Sequence, residues 1–153
     1  MSENYQGDYY GWLTSTAAAL EQGRFDQVDR VQVAEELRDM GKSERRGIVS
    51  QMRVIMVHLL KIQHQPAKRT RSWDITILNA RGEIAKLFTE SPSLAGRSHE
   101  LMVDAYDSAR LWAADETGLP FEAFPLECPF AVGDVLGGPL PPAFGLQESK
   151  RPL

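Results

Sequence analysis

The chain has 153 residues, of which 42% are hydrophobic and 25% are charged, and its formal net charge is −4. This composition is typical of one globular domain with a core of its own, and it excludes an intrinsically disordered chain. The one cysteine, Cys128, excludes an internal disulfide and a zinc site built from several cysteines, and it favours a reducing, cytoplasmic compartment.

Two amphipathic helices are predicted near the N-terminus, because apolar side chains recur there every three or four positions. The first runs from Tyr9 to Gln22, with Asp8 as its N-cap and Gly23 ending it. The second begins at Asp26 and is ended by Gly41. Their predicted inner faces are Trp12, Leu13, Thr16, Ala17 and Leu20 in the first helix, and Val33, Ala34, Leu37 and Met40 in the second.

The stretch 43–65 predicts the central helix of the fold. Ser43 is its predicted N-cap, and Pro66 ends it, because the residue before a proline is pushed out of helical geometry. Apolar side chains cover more than half of the circumference, so several neighbouring helices must bury this helix at once. Its main apolar stripe consists of Ile48, Met52, Ile55, Leu59 and Ile62.

Two further helices and an irregular segment are predicted after the central helix. Ser72 is the predicted N-cap of a fourth helix, and Ser91 followed by Pro92 begins a fifth helix that Gly118 ends. Residues 119–130 are rich in apolar side chains and proline but too irregular for a strand. We therefore expect this segment to pack across the helices in short turns.

The predicted architecture is an all-α, single-domain helical bundle. About five main helices are arranged around the central helix 43–65, with a short irregular C-terminal cap. The domain spans residues 1–136, and residues 137–153 are predicted to form an extended or disordered tail. The N-terminus lacks the features of a signal peptide, and the longest mostly apolar run, Val54 to Leu60, is too short to span a bilayer, so we expect neither export nor membrane insertion.

A series of short motifs occurs along the chain in a fixed order. They are Y-x-x-W-L, A-E-E-L with G-K-S-E-R-R, H-L-L-K-x-Q-x-Q-P, R-S-W, S-P-S-L, E-T-G-L-P and F-P-x-E-C-P-F. Over residues 5–136 this order resembles the bacterial domain of unknown function 29 family. The resemblance implies an all-α fold, and it implies no activity because no function is established for that family. Ala131 stands where family members often have a polar residue that caps a final short helix, so the sequence leaves open whether residues 131–136 are helical.

Charge is divided unevenly along the chain. Residues 1–40 contain three basic and eight acidic side chains, residues 41–100 contain eleven and five, and residues 101–153 contain three and eight, which gives local net charges of −5, +6 and −5. This division indicates either a basic face flanked by acidic helices or segments that pack together and neutralise one another. We favour the second interpretation, because an acidic net charge argues against a nucleic-acid-binding protein.

Gln51, His58 and Gln65 lie at intervals of seven residues and form a polar line beside the apolar face of the central helix. Such a line could hold a metal, a small polar ligand or a partner helix, but a lone histidine at the edge of a core is more often hydrogen-bonded to a neighbour. Our hypothesis is that Glu36, or another carboxylate from the acidic second or fifth helix, accepts a hydrogen bond from His58. Glu36 and His58 are also the best metal-ligand candidates, but no Glu-x-x-His or His-Glu-x-x-His motif accompanies them, and no cofactor is predicted.

A second candidate surface is basic. It combines cations, a helix N-terminus and an aromatic ring, as binding to a phosphate backbone with exposed bases requires. Its residues are Lys61, Lys68, Arg69, Arg71, Ser72 and Trp73. The alternative, which we favour, is that Trp73 belongs to the core and the charges lie in a solvated loop. The chain contains no glycine-rich phosphate loop, Rossmann fingerprint or G-x-S-x-G motif, so nucleotide hydrolysis and serine-type hydrolysis have no sequence support.

The function class that the sequence favours is a non-enzymatic, cytoplasmic binding or interaction module. The sequence leaves its partner open, with another protein and a second copy of the chain as the two candidates. The alternative is a protein that binds nucleic acid or another anion through residues 68–73. A metal-assisted hydrolase at Glu36 and His58 is the third hypothesis. Cys128 lies in an apolar segment and is predicted to be a small packed anchor, not a reactive thiol.

Overall fold

The structure is a computed structural model that describes residues 5–141. Its regular elements are all helical, with no β-strand in the described range, which confirms the all-α prediction. The α-helices of this range are α1 (Tyr9–Glu21), α2 (Arg30–His64), α3 (Arg71–Glu90), α4 (Pro92–Ala95), α5 (Ser98–Thr117) and α6 (Val132–Leu136). Short 3-10 turns lie at Phe25–Gln27, Pro66–Lys68 and Phe121–Ala123. None of the helices formed by residues 5–141 has the combination of length and hydropathy that crossing a lipid bilayer requires.

The first helix, α1, begins and ends close to its predicted bounds. The side chain of Asp8 accepts a hydrogen bond from the amide of Gly11 at 2.9 Å, which satisfies one of the free N–H groups at the helix start. At the other end Gly23 has a φ of 70°, a left-handed conformation that residues with a Cβ rarely adopt. The chain therefore turns away just after Glu21.

The helices predicted over 26–40 and 43–65 are in fact one continuous helix, α2, of 35 residues. Gly41 and Ser43 both lie inside it. A glycine within a helix costs about 1 kcal/mol relative to alanine, but it ends a helix only where the chain turns away, commonly in a left-handed conformation. In the described part of the chain, only Gly23 and Gly118 have such a positive φ. The predicted helix end at Gly41 and N-cap at Ser43 are therefore wrong.

Both ends of α2 have a local cause. The carboxylate of Asp29 accepts a hydrogen bond from the amide of Gln32 at 3.1 Å, so Asp29 caps the helix, while the predicted start, Asp26, lies in the preceding 3-10 turn. At the C-terminal end α2 stops at His64, two residues before Pro66. This end follows from the proline, as predicted.

The chain divides between Ser43 and Glu44 into two compact units, and α2 contributes residues to both. In the first unit, α1 packs against the N-terminal part of α2, and we call its described residues, 5–43, the hairpin unit. Only Trp12 and Ala19 are buried in the hairpin unit. The single-domain assignment of residues 1–136 stays a prediction.

The second unit contains the main core. The apolar stripe predicted for the central helix is buried there, and it joins one cluster with side chains from α3, α5 and the C-terminal segment. This cluster includes Ile48, Met52, Ile55, Met56, Leu59, Leu60, Ile62, Ile77, Ala80, Ile84, Leu101, Met102, Ala105, Tyr106, Ala109, Ala113, Phe124, Phe130 and Val135.

The predicted fourth and fifth helices differ in detail from those observed. Ser72 lies inside α3, whose N-cap is Thr70, so the predicted Ser72 cap is wrong. Pro92 does begin a helix, but this helix, α4, is a single turn that ends at Ala95. A separate helix, α5, begins at Ser98. Gly118, with a φ of 73°, ends α5 as predicted.

The C-terminal segment packs on the core in short turns, as predicted. Phe124 and Phe130 are buried, and a 3-10 turn is the regular element of this segment before α6. The stretch 131–136, which the sequence left open, contains α6. The carboxylate of Asp134 accepts a hydrogen bond from the amide of Ala131 at 2.9 Å and so compensates for an alanine that cannot cap with its own side chain.

Two arginines of the second unit donate hydrogen bonds to backbone carbonyls of α6 and of the chain that follows it. The guanidinium of Arg81 donates to the carbonyls of Asp134, Val135 and Gly138 at 2.7, 3.0 and 2.7 Å, and these bonds satisfy acceptors that a helix end leaves free. The guanidinium of Arg69 donates to the carbonyl of Pro141, the last described residue. The rest of the predicted tail, 142–153, lies outside the described residues.

Candidate functional site

The carboxylate of Glu36 binds two tyrosines of the hairpin unit and does not meet His58. The Tyr5 hydroxyl donates to one carboxylate oxygen at 2.8 Å, and the Tyr9 hydroxyl donates to the other. These hydrogen bonds raise the pKa of Tyr5 and raise the pKa of Tyr9 to about 12, because the carboxylate stabilises the protonated phenol. His58 lies 22 residues further along α2, about six turns away, so the hypothesis of a Glu36–His58 pair is wrong.

The polar line of Gln51, His58 and Gln65 is not continuous. The Nδ1 atom of His58 lies 2.8 Å from the carbonyl of Val54 in the preceding turn, which is the ordinary structural role of a helical histidine. Gln65 comes after the end of α2, and its side-chain amide donates to the carbonyl of Thr117 at 3.4 Å. Of the predicted line, Gln51 and His58 therefore remain on the helix, half-buried. No group of three or more His, Cys, Asp or Glu side chains within residues 5–141 could hold a metal ion.

The predicted basic surface is largely used in internal contacts. The Lys61 ammonium lies 4.4 Å from the centre of the Trp73 ring and 3.6 Å from a carboxylate oxygen of Glu116. The Arg69 side chain, 9% exposed, forms a two-point ion pair with Asp74 at 2.8 and 3.1 Å. Trp73 itself is partly buried against the core, as the favoured alternative predicts.

Two cations of the predicted basic surface remain available to bind an anion. Lys68 and Arg71 are exposed and have no ion-pair partner within residues 5–141. Ser72 is also exposed, but it lies inside the first turn of α3 and does not cap the helix. The structure therefore brings the basic residues into one region without presenting an aromatic ring for base stacking beside free charges.

The hairpin unit exposes a large share of its apolar side chains. Tyr9 at the start of α1 lies level with Glu36, so α1 does not cover the residues that follow on α2. Leu37 and Met40 are accordingly 62% and 59% exposed, and their predicted place on an inner face is wrong. The other exposed large apolar side chains of this unit are Tyr9, Tyr10, Leu13, Leu20, Phe25 and Val31.

Carboxylates outnumber cations near these apolar residues, although the exposed Arg38 and Lys42 lie on the same stretch of α2. Glu35 and Asp39 are exposed on the same stretch of α2 as Leu37 and Met40, and residues 1–40 together have a net charge of −5. The first half of the second unit has a positive net charge. The exposed cations of the second unit that have no ion-pair partner within residues 5–141 are Arg46, Lys68, Arg71, Lys86 and Arg97.

A cleft with a volume of about 460 Å³ lies between α5 and the irregular segment 126–130. Five of its residues recur every three or four positions on α5 and so share one helix face. The lining consists of His99, Met102, Val103, Tyr106 and Asp107 of α5 together with Leu126, Glu127, Cys128 and Phe130. Sequence analysis missed this cleft. The signal that could have indicated it is the line of mixed polar and apolar side chains on α5, which is typical of a partly exposed surface.

Two of the groups that line this cleft, the Tyr106 hydroxyl and the Cys128 thiol, are uncharged at neutral pH. The Tyr106 hydroxyl donates to the Pro125 carbonyl at 2.6 Å, and burial raises the pKa of Tyr106 to about 12. Burial also raises the pKa of the Cys128 thiol, whose sulfur lies 3.8 Å from the sulfur of Met56. Cys128 is thus a protonated, partly buried thiol, consistent with the predicted packed anchor.

Comparisons with known proteins add to the motif order described above. No curated protein and no solved structure matched the chain. A family model described as Domain of unknown function DUF29 matches residues 4–138. The match includes all six helices from α1 to α6. The chain therefore belongs to the DUF29 family.

Proposed function

We propose that this protein is a non-enzymatic interaction module that associates with a second copy of itself through the hairpin unit. The observation that carries the proposal is the exposure of Leu37 and Met40 on a stretch of α2 that also exposes Glu35 and Asp39. In a unit that buries only Trp12 and Ala19, such an apolar surface is typical of a protein interface.

The size of the hairpin unit supports an interface at this surface. A unit this small buries little apolar surface, and chains of about 40 residues usually need disulfides, metals or association to stay folded. Covering exposed apolar area contributes roughly 25 cal/mol per Å², and a stable dimer buries about 800 Å² on each partner. Eight large apolar side chains of the hairpin unit are available for this burial.

Charge complementarity supports a second copy as the partner. The hairpin unit is acidic, and the exposed cations Arg46, Lys68 and Arg71 belong to the same chain. In a twofold dimer the hairpin unit of each copy would meet exposed cations of the other copy, so each contact would form twice. Opposite charges at the rim would also increase the association rate.

Sedimentation velocity over a concentration series tests this proposal. We expect a concentration-dependent dimer that weakens as salt is added, because salt screens exposed charge pairs. Replacing Leu37 and Met40 together by glutamine should weaken the dimer at least about 10-fold, since two apolar side chains lose their burial. Circular dichroism should show an unchanged helix content, because glutamine is a good helix former.

A matched control uses apolar residues outside the hairpin unit. Leu111 and Leu126 are also exposed but lie in the acidic C-terminal third, so their joint replacement by glutamine should leave the dimer intact. A protein that remains monomeric at every concentration would overturn the proposal and indicate a different partner. Equal weakening by both double variants would also overturn it.

The two other hypotheses have less structural support. Binding of nucleic acid would rest on Lys68 and Arg71, because Arg69 is paired with Asp74 and Trp73 is packed on the core. A metal-assisted hydrolase at Glu36 would need a ligand other than His58.

A further inference from the structure

The cleft beside α5 has the size and lining of a small-ligand site. Its volume of about 460 Å³ falls in the range of roughly 300–1,000 Å³ in which proteins hold small molecules. Its lining includes no residue of the hairpin unit and none of the cations proposed for self-association.

The inner part of the cleft is apolar and partly aromatic. Met102, Tyr106 and Phe130 are buried, and Val103 and Leu126 add apolar surface nearer to solvent. The proton of the Tyr106 hydroxyl is already donated to the Pro125 carbonyl, so this tyrosine adds no free polar group to the interior. The interior therefore favours a hydrophobic ligand body.

The charged groups of the lining are carboxylates. Asp107 and Glu127 are exposed and have no ion-pair partner within residues 5–141, and the lining contains neither lysine nor arginine. The nearby Arg110 is occupied elsewhere, because its Nε donates to the Phe124 carbonyl at 3.2 Å and its guanidinium lies over the Phe121 ring at 3.7 Å. The other titratable groups that line the cleft are His99 and the protonated Tyr106 and Cys128.

We propose that this cleft binds a small organic cation, an amine with an aromatic or aliphatic body. The ammonium group would lie at Asp107 and Glu127, and the body would pack against the apolar lining formed by Val103, Leu126 and Phe130. Carboxylates favour an ammonium through charge-assisted hydrogen bonds, and the apolar lining favours a hydrophobic body. An anionic ligand would meet two carboxylates without a compensating cation.

Cys128 provides a direct reporter, because it is the one cysteine of the chain and lines the cleft. The rate at which iodoacetamide alkylates it can be followed by mass spectrometry at mildly alkaline pH. We expect 2-phenylethylamine to slow the alkylation in a saturable way. The uncharged 2-phenylethanol, which has nearly the same shape, should protect at least about 10-fold less well, because it lacks the ammonium.

Charge variants connect the protection to the two carboxylates. In the full chain, Asp107→Asn with Glu127→Gln should raise the half-protecting concentration of the amine about 10-fold and leave that of the alcohol unchanged. Glu83→Gln with Glu90→Gln is the matched control, since it removes the same charge from exposed positions on α3 and should change neither value.

Three outcomes would overturn the proposal. They are an absence of protection by the amine, equal protection by amine and alcohol, and a loss of amine protection in the α3 control variant. Alkylation of the variants without any ligand should match that of the unaltered protein, which shows that the cleft is intact. None of these results depends on whether the protein self-associates.

Discussion

The Tyr106 hydroxyl and the Pro125 carbonyl form a 2.6 Å hydrogen bond that links the middle of α5 to the irregular segment before α6. One turn further along α5, Arg110 donates to the adjacent carbonyl, that of Phe124, at 3.2 Å. Two side chains on one helix face thus bind consecutive carbonyls of a segment that has little regular structure of its own. Buried carbonyls need such partners, so this pair of bonds positions the segment that forms one wall of the cleft.

Replacing Tyr106 by phenylalanine should lower the free energy of unfolding by about 1–3 kcal/mol, because the ring remains packed but the Pro125 carbonyl loses its donor. Urea denaturation measures this change. Tyr10→Phe is the control, since Tyr10 is 76% exposed and its replacement should change stability by less than about 0.5 kcal/mol. Equal effects of the two substitutions would contradict a structural role for the Tyr106 hydroxyl.

The basic loop should contain one structural and one dispensable cation. Arg69→Ala should destabilise the protein by about 1–3 kcal/mol, because it removes a nearly buried two-point partner of Asp74 and the donor to the Pro141 carbonyl. Lys68→Ala should change stability by less than about 0.5 kcal/mol, because Lys68 is exposed and unpaired within the described chain. Thermal and urea unfolding of both variants measure the difference, and a stable Arg69→Ala protein would show that the pair contributes little.

Truncation of the central stripe should be costly. Leu59 is 4% exposed in the main core, so Leu59→Ala should lower the free energy of unfolding by about 2–5 kcal/mol. Leu78→Ala on α3 is the control, because Leu78 is 53% exposed, and it should cost less than about 1 kcal/mol. A loss below about 1 kcal/mol for Leu59→Ala would mean that α2 is not the centre of the core.

The Tyr9–Glu36 hydrogen bond should be visible in a titration. The pKa of Tyr9 is raised to about 12 from an ordinary value of 10.0, chiefly by its hydrogen bond to Glu36, so Tyr9 should stay protonated in the folded protein to higher pH than an isolated tyrosine. A pKa raised on folding contributes stability that is fully present below pH 10.0 and is lost as pH rises towards about 12. The hairpin unit should therefore loosen in this alkaline range.

NMR of ring-labelled tyrosine measures the titration residue by residue. Glu36→Gln should lower the pKa of Tyr9 towards its ordinary value, because the carboxylate that stabilises the protonated phenol is removed. Tyr106 provides an internal reference, since its pKa of about 12 arises from burial and should not respond to the Glu36 substitution. An unchanged Tyr9 titration in the variant would exclude the Glu36 contact.

Several features of the fold could be predicted from local sequence because their causes are local. Asp8 caps α1, Pro66 follows the end of α2, and Gly118 ends α5, each through the conformational preference of a few neighbouring residues. The burial of the apolar stripe of the central helix could also be predicted, since a helix that is apolar over most of its surface must be buried. All-α architecture follows from these patterns.

Other features depend on which segments meet, and local patterns do not contain that information. Gly41 and Ser43 are compatible with a helix end or a helix interior, and the fold uses them as interior residues of α2. Leu37 continues an apolar pattern, but α1 reaches only to Glu36, so the side chain remains exposed. The pairing of Glu36 with two tyrosines, and of α5 with the segment around Cys128, joins residues far apart in sequence. Only tertiary packing brings such groups together, because helical periodicity determines the face on which a side chain lies but not the element that covers it.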